Sequence, residues 1–545
     1  MIDILLIHPG ATHGIYGALG DKLTSVEPPL WPRLIAGYLL DRGWKVEILD
    51  QECEGISAEE VAQRVRKIFP RIVAICVFGH QPSASTQQMT GSRAIAQAIN
   101  DIGWETFDSA PPMRTKPIVV MLGNHPSALP ERTLREEPVD YVIDGEGPVT
   151  LDAMLKLATF TGGNTDDTLT LDKIPGLVWW GYGGSQKRET VYCNPPAPLF
   201  DVDRDLHGNA WHLLPPPSRY RAHAWQCLSD QATRTPYAAV YTSLGCPYTC
   251  GFCMINTFQH TNKYRMRSPE KVVAEMSWLA HEHGVRTFKI IDELFILNRA
   301  HYTAIANGLI ELQENHIGPI NVWAYSRTDA PHLREDLPLL RAAGVQWLAL
   351  GIESGSGEVR DLARKKLRAD DDTNQAIHAV VRDIRSAGIS VIGNYIFGLV
   401  GDTQESMLQT LELALELNTE FANFYCAHAY PGSALYDEVA RDRPQDLPPS
   451  WAAYSQHNRH TYPLRTEALS PAQILAFRDA AFKEYFTSPR WREMVHAKFG
   501  PAAIAHVDEM LQYELVRDLL EESAHDAQVL PEFAGGDRHR RPPRR

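Results

Sequence analysis

Ser243-Leu244-Gly245-Cys246-Pro247-Tyr248-Thr249-Cys250-Gly251-Phe252-Cys253 decides how the rest of the chain is read. Three of the 8 cysteines fall inside it, spaced C-x3-C-x2-C. The β-rich segment Tyr237–Thr242 runs just ahead, so the thiols sit on a loop leaving the end of a strand. Thiolates are the usual ligands of iron–sulfur clusters. Three of them on a four-iron cluster leave one iron without a protein ligand, open to chemistry. A structural zinc competes, with Cys250 and Cys253 as one ligand pair and Cys246 with His260 completing the site. Zinc ordinarily draws on a second C-x2–4-C pair, and no second C-x-x-C exists in the chain. Three unrelated buried thiols are the remaining alternative; the crowding and the Gly245-Cys246-Pro247 turn speak against it.

Downstream, strand and helix alternate. With Tyr237–Thr242, the runs Thr287–Ile291, Ile320–Tyr325, Trp347–Leu350, Val391–Ile396 and Phe421–Cys426 make six strands, a partial (β/α)6 TIM-like barrel over 236–430 that is active at its C-terminal mouth. Polar residues follow each strand: Asp292 and Glu293; Ser326, Arg327 and Asp329; Glu353; Gly398, Gly401 and Asp402; His428 and Tyr430–Ser433. A purely structural barrel has no reason to concentrate charge on one rim. Upstream, over 1–160, five short apolar runs (Ile2–Ile7, Val46–Leu49, Ile72–Val77, Ile118–Leu122, Tyr141–Ile143) alternate with amphipathic stretches. This is the pattern of a Rossmann-like, doubly wound parallel sheet. Ligands of such sheets bind beyond the carboxyl ends of strands, at the switch point. The loops expected there are His8–Gly14, Gly79–Ser83, Gly123–Ser127 and Asp144–Gly147. A dinucleotide needs G-x-G-x-x-G straight after the first strand; Gly10, Gly14, Gly17 and Gly20 do not fit it.

Residues 161–235 read as a linker, with a hairpin about Gly183-Gly184-Ser185 and stiff proline segments at Pro195–Pro198 and Pro215–Pro217. Residues 431–545 read as a helical cap, Ala468–Ser488 and Trp491–Lys498, with Gln473, Arg478 and Glu484 on its outer faces and a short basic tail. The whole is an α/β chain of 545 residues, too long for one ordinary domain. A net charge of −14 argues against a nucleic-acid surface. No run of 18 apolar residues exists, which argues against a membrane helix. The start, Met1–Ile7, has no basic n-region and reads as a strand instead of a signal peptide. A cytoplasmic location is expected, where clustered cysteines hold cofactors more often than disulfides.

The cysteine triplet, with aromatic Phe252 before its last member, resembles the radical S-adenosylmethionine (SAM) enzymes. The resemblance implies a 4Fe–4S cluster on Cys246, Cys250 and Cys253, with the open iron binding the amino and carboxylate groups of SAM. It implies Phe252 near the adenine, Asp292 or Glu293 at the amino group, Glu353 near ribose and amine, Arg327 at the carboxylate, and Ile396 and Gly398 of the fifth-strand motif at the adenine. The first region resembles the cobalamin-binding domain that precedes many radical SAM domains, on its five strands and the Asp144-Gly145-Glu146-Gly147 corner. That resemblance implies cobalamin contacts at Ser83 or Ser85, at Gly123, Asn124 and His125, and at Gly145 and Glu146. The D-x-H-x-x-G motif is absent, and His8 and His13 have the wrong spacing, so no histidine is expected on cobalt. The implied activity is a cobalamin-dependent radical SAM methyltransferase acting on an unactivated carbon or a phosphinate phosphorus of a natural-product intermediate. Its implied partners are a small-molecule substrate and an electron donor such as flavodoxin or ferredoxin, with no nucleic acid and no membrane. Lys263, Arg265 and Arg267 are the candidates for a basic pocket. The alternatives are a cyclase or oxidative enzyme of the anaerobic magnesium-protoporphyrin type and a non-catalytic cobalamin- and SAM-binding protein.

Overall fold

Aliphatic strands buried on both faces form the centre of the first sheet of the computed structural model, which describes residues 2–10, 24–79, 84–104, 116–159, 170–182, 188–205, 209–365, 367 and 373–523. The strands are β1 (Ile4–His8), β2 (Val46–Asp50), β3 (Ile72–Val77), β4 (Ile118–Gly123), β5 (Tyr141–Ile143), β6 (Leu177–Tyr182) and β7 (Arg188–Cys193), in the order β2-β1-β3-β4-β5-β6-β7. β1 to β5 are parallel and β6 and β7 antiparallel. Every residue of β3 is buried, as expected of a strand covered by helices on both sides. Helix Ala58–Ile68 begins in a capping box, Ser57 with Glu60, which satisfies two backbone donors its first turn leaves open.

The hairpin expected inside the linker is β6 and β7, and it extends this sheet, with Val178 opposite Val142. The first sheet therefore runs to Cys193, past the expected edge at 160. Stacked Trp179 and Tyr192 hold the pair together, 4.9 Å between ring centroids.

The second sheet joins β8 (Tyr237–Val240), β11 (Thr287–Ile290), β12 (Asn321–Arg327), β13 (Val345–Glu353), β14 (Ser390–Phe397) and β15 (Phe421–Cys426), all parallel and in sequence order. A small antiparallel pair, β9 (Ser243–Leu244) and β10 (Arg265–Met266), frames the cysteine loop. β12 and β13 run on past their apolar cores to the rim: Arg327 stays in register opposite Gly351, while the β13–β14 pairing shifts between Gly351 and Glu353.

The C-terminal helices are Pro471–Thr487, Pro489–Phe499, Pro501–Leu511 and Asp518–Glu522. Arg478, expected on an outer face, is buried, and its Nε donates to the Phe424 carbonyl at 2.8 Å. A helix facing β15 needs a donor for that rim carbonyl, and the long arginine stem reaches it. Gln473 forms a capping box with Ser470. The basic tail lies outside the described residues. Among those residues no helix is long and apolar enough to cross a membrane.

Candidate active site

The cysteine loop is held from below by Asp292, at the end of β11. Its carboxylate accepts from the Thr242 amide (2.6 Å), the Thr242 hydroxyl (2.5 Å) and the Ser243 hydroxyl (2.6 Å). Gly245 follows at φ +89°, where an added Cβ would lie 2.2 Å from the Lys263 carbonyl, so only glycine makes this turn. Its amide donates to Glu293 at 3.2 Å. Asn256 closes the loop, accepting from the Cys246 amide (3.2 Å) and donating to the Cys246 carbonyl (2.7 Å). The Gly251 amide donates to Ala363, and the Gly251 carbonyl accepts from Leu435, each at 2.9 Å. All three thiols are free of disulfides and line one cavity. Burial pushes the Cys246 thiol up to about 11; a bound cation such as cluster iron would offset that cost by stabilising the thiolate, the proton being released. His260, the fourth ligand of the zinc alternative, is engaged instead with Asp144, Nε2 to Oδ1 at 2.8 Å.

The cavity measures about 1250 Å³ and spans both sheets. From the barrel it is lined by the three cysteines, Phe252, Asp292, Glu293, Arg327, Glu353 and Ile396. From the first sheet it is lined by His8 at the end of β1, Glu52 after β2, and Gly79 and Ala84 after β3. β1 lies between β2 and β3, so these residues stand at the switch point, where the strand order reverses. Gly79 and Ala84 leave room there for a flat ligand. Burial pulls the His8 imidazole down to about 4, which keeps it neutral at the wall.

The barrel-side residues meet one another as well as the cavity. Arg327 forms a fork with Asp329 (2.7 and 3.1 Å) and stacks 4.0 Å over the Tyr248 ring. Glu353, at φ +66°, pairs with Lys365, whose Nζ also donates to the Gly351 carbonyl at 2.9 Å. Glu293 is held up at about 7, chiefly by burial. Gly398 is outside the cavity lining; its amide donates to Asp402 at 2.9 Å, and an added Cβ would press on Ile474.

The expected cobalamin contacts distribute differently. Ser83 and His13 lie outside the described residues. The Ser85 hydroxyl donates to the Val77 carbonyl and accepts from the His125 amide (3.0 Å), clamping β3 to β4. Gly123, at φ +138°, brings its Cα face so close to Val77 that a Cβ would lie 2.1 Å from the carbonyl oxygen. Asn124 borders a separate space of about 40 Å³ beside Trp31, Phe78 and Phe258. His125 contacts Thr86 at 3.2 Å and sets its ring edge-on to Trp451 at 4.4 Å. Gly145 donates to Ser127 at 3.0 Å, and Glu146 pairs with Arg265. Thus Gly123, Asn124, His125, Gly145 and Glu146 do not line the large cavity. The basic pocket does not form either. Lys263 is exposed, Arg265 is paired with Glu146, and Arg267 with Glu275 (2.7 Å); none of the three lines the cavity.

Deeper in the barrel, Lys289 of β11 reaches both carboxylate oxygens of Glu27 (3.1 and 2.9 Å), and the Tyr237 hydroxyl donates to the same carboxylate at 3.0 Å. Lys289 also lies 4.8 Å over the Trp323 ring. Tyr325, Asn394 and Asn423 complete this inner wall. Sequence reasoning missed the ion pair because 262 positions separate its members. A lysine in the middle of Thr287–Ile290 was the one visible signal.

Comparison with known proteins bears on this arrangement. Residues 240–414 match the radical SAM superfamily. Residues 16–155 match the B12 binding domain. The chain is 26% identical over 439 residues to an uncharacterized methyltransferase of Pyrococcus horikoshii, covering 80% of this chain and 83% of that one. It is 24% identical over 476 residues to the anaerobic magnesium-protoporphyrin IX monomethyl ester cyclase of Cereibacter sphaeroides, covering 87% and 68%. Its fold is that of the radical SAM methyltransferase TsrM from Kitasatospora setae, solved with cobalamin and a 4Fe–4S cluster bound (TM-score 0.62, 18% identity, 90% of each chain). The cobalamin-dependent radical enzyme OxsB also matches (TM-score 0.60, 14% identity, 94% of this chain and 72% of that one). The two matched regions are those whose strand ends line the cavity, and their family descriptions name SAM for the one and B12 for the other. The matches support a cobalamin-dependent radical SAM methyltransferase.

Proposed function

We propose that this chain methylates an unactivated centre of a small natural-product intermediate, with both cofactors and the substrate in one chamber. The observation that carries this reading is the single cavity that runs from the cysteine loop to the switch point of the first sheet. Cys246, Cys250 and Cys253 would hold the cluster. Glu293, Glu353, Arg327, Phe252 and Ile396 would hold SAM, with Gly398 shaping the turn behind it and Asp292 bracing the loop. His8, Glu52, Gly79 and Ala84 would face the corrin. When bound, the cluster and SAM supply a carbon radical by one-electron cleavage, and cobalamin supplies the methyl group. The chain's own share is placement and exclusion of water. The Arg327–Asp329 fork and the Lys365–Glu353 pair fix the rim side chains before any ligand arrives. The segment Met510–Glu521 covers the β15 side of the chamber.

The inner wall of Lys289, Glu27, Tyr325, Asn394 and Asn423 is the proposed seat of the substrate's polar group. Carbon is the favoured methyl acceptor. At this inner wall a phosphinate, as in the phosphinothricin-pathway P-methyltransferase the layout resembles, would meet a lysine already shared with Glu27. A cytoplasmic setting and a flavodoxin or ferredoxin as electron donor belong to the same proposal.

Ring closure is the second reading, favoured by the cyclase relative that spans most of the chain. Product analysis separates the two. Methyl donation leaves S-adenosylhomocysteine, while reductive cleavage leaves 5′-deoxyadenosine and methionine. Anaerobically reduced holoenzyme with SAM and a pathway extract is expected to give both nucleosides and labelled product from methyl-labelled SAM. Deoxyadenosine with no homocysteine adduct and no label in product would favour ring closure.

A further inference from the structure

The Asp144-Gly145-Glu146-Gly147 corner is aimed at the barrel instead of the cavity. Glu146 and Arg265 pair with side chains 5% and 13% exposed, and the second guanidinium nitrogen lies 3.3 Å from the other carboxylate oxygen. Arg265 belongs to β10, where it stands opposite Leu244, two residues before Cys246. The same guanidinium donates to the Phe200 carbonyl (3.1 Å) and to Gln259 (3.3 Å). The Gln259 side chain lies 2.9 Å from where a Cβ on Gly245 would stand, so it packs on the turn into the first cysteine. One position away, Phe258 inserts between the sheets, 5.0 Å from Trp31 and 5.5 Å from Phe78. Asp144 takes His260 from the same turn. The corner's two glycines both take positive φ, and Gly147 packs on the first sheet itself. Gly145, at φ +138°, would aim a Cβ at the Phe258 carbonyl, and a Cβ on Gly147 would strike Leu122 at 2.4 Å.

We infer that Glu146, acting through Arg265, is a positioning residue for the iron–sulfur loop and makes no contact with cobalamin. The inference rests on the proposed function, in which the cysteine loop carries the cluster and the switch point faces the corrin. A buried carboxylate stripped of its partner, or the reverse, leaves an uncompensated charge, and here that charge sits against the hairpin that frames the cysteines. The first domain thereby holds the loop of the second in shape.

The test uses full-length protein reconstituted anaerobically with iron, sulfide and hydroxocobalamin. Iron and acid-labile sulfide report the cluster, the electron paramagnetic resonance spectrum of the reduced protein reports its environment, and corrinoid released on denaturation reports cobalamin. E146Q and R265M are each expected to lower cluster content about tenfold, the scale of lost outer-sphere support, with cobalamin per chain unchanged. The charge-swapped double variant, E146R with R265E, should recover part of the cluster. If either single variant fails to fold, D144N serves in its place, with a smaller cluster deficit and an altered resonance spectrum expected. Loss of cobalamin with the cluster retained, or equal loss of both, overturns the inference. Wild-type protein that takes up neither cofactor would instead strike at the proposed function, and it is seen without any variant.

Discussion

The two parallel sheets present their carboxyl ends to the same space, yet they use them differently. In the barrel, residues at or just beyond the ends of β11, β12, β13 and β14 line the cavity: Asp292 and Glu293, Arg327, Glu353, and Ile396. Among the described residues at the strand ends of the first sheet, only those after β1, β2 and β3 contribute, through His8, Glu52, Gly79 and Ala84. The end of β4 is tied back to the helix after β3 through His125 and Ser85, and the end of β5 reaches the hairpin and turn around the cysteine loop through Glu146 with Arg265 and Asp144 with His260. The partial-barrel layout explains the difference, although its sheet stays open between β8 and β15. Strands tilted around a barrel converge at the mouth, so each end sees the centre. An open, twisted sheet offers a crevice only where its order reverses. Beyond that point its loops are free to serve as supports.

The sharpest break of this comparison is at the cluster. Cys250→Ala should remove the broad visible absorption and acid-labile sulfide and abolish 5′-deoxyadenosine formation, while cobalamin per chain stays at the wild-type level. Parallel loss of cobalamin would mean that the two ligand regions are not separable. Next comes the ion pair that joins the domains inside the barrel. Lys289→Met leaves Glu27 buried without its cation and should destabilise by about 3–5 kcal/mol in urea unfolding. The double variant with Glu27→Leu should be markedly less destabilised, because no stranded charge remains. Equal effects in single and double variants would show that packing over Trp323, not charge, sets the cost.

Glycines sharpen the contrast at a smaller scale. Gly123 faces the backbone of β3, with a Cβ position 2.1 Å from the Val77 carbonyl. Gly398 faces the Ile474 side chain, whose nearest atom would be 2.8 Å away. Both have positive φ, so alanine is strained at either position. A side chain swings aside and a strand does not. Gly123→Ala should therefore cost about 3 kcal/mol and Gly398→Ala about 1 kcal/mol, read as a difference in thermal midpoint with matched cofactor loading.

The sequence exposed the architecture because both sheets announce themselves through periodicity: short apolar runs separated by amphipathic helices, with polar residues at the barrel rim. The cysteine spacing located the chemistry for the same local reason. What it hid was long-range. Nothing near Glu27 points to Lys289, and nothing in the Asp144–Gly147 corner says that Arg265 and His260 are its partners, more than a hundred positions on. Arg265 and Arg267 read as a basic run because their acidic partners lie 119 and 8 positions further off in the chain. The first-sheet wall was half legible. The switch-point rule points to the ends of β1 and β3, but only the strand order shows that Glu52 joins them and that His125 does not.

The smallest effect expected concerns the exposed partner of the buried Glu146–Arg265 pair. The hydrogen bond to Asp144 raises the His260 imidazole above its ordinary range, against a smaller opposing push from burial. A folded-state value above the unfolded one means that the native protein binds the proton more tightly. The contribution to stability is then complete below about 6.5, the unfolded reference, and fades as pH rises through the folded value. His260 is 37% exposed, so solvent screens the pair and the contribution is small. The gap in thermal midpoint between wild type and Asp144→Asn should therefore be widest at pH 6 and narrow as pH rises, while the gap between wild type and Glu146→Gln should stay the same over that range. A gap for Asp144→Asn that widened with pH would show that His260 is neutral in the folded protein and that the corner grips the cluster loop through Glu146 alone.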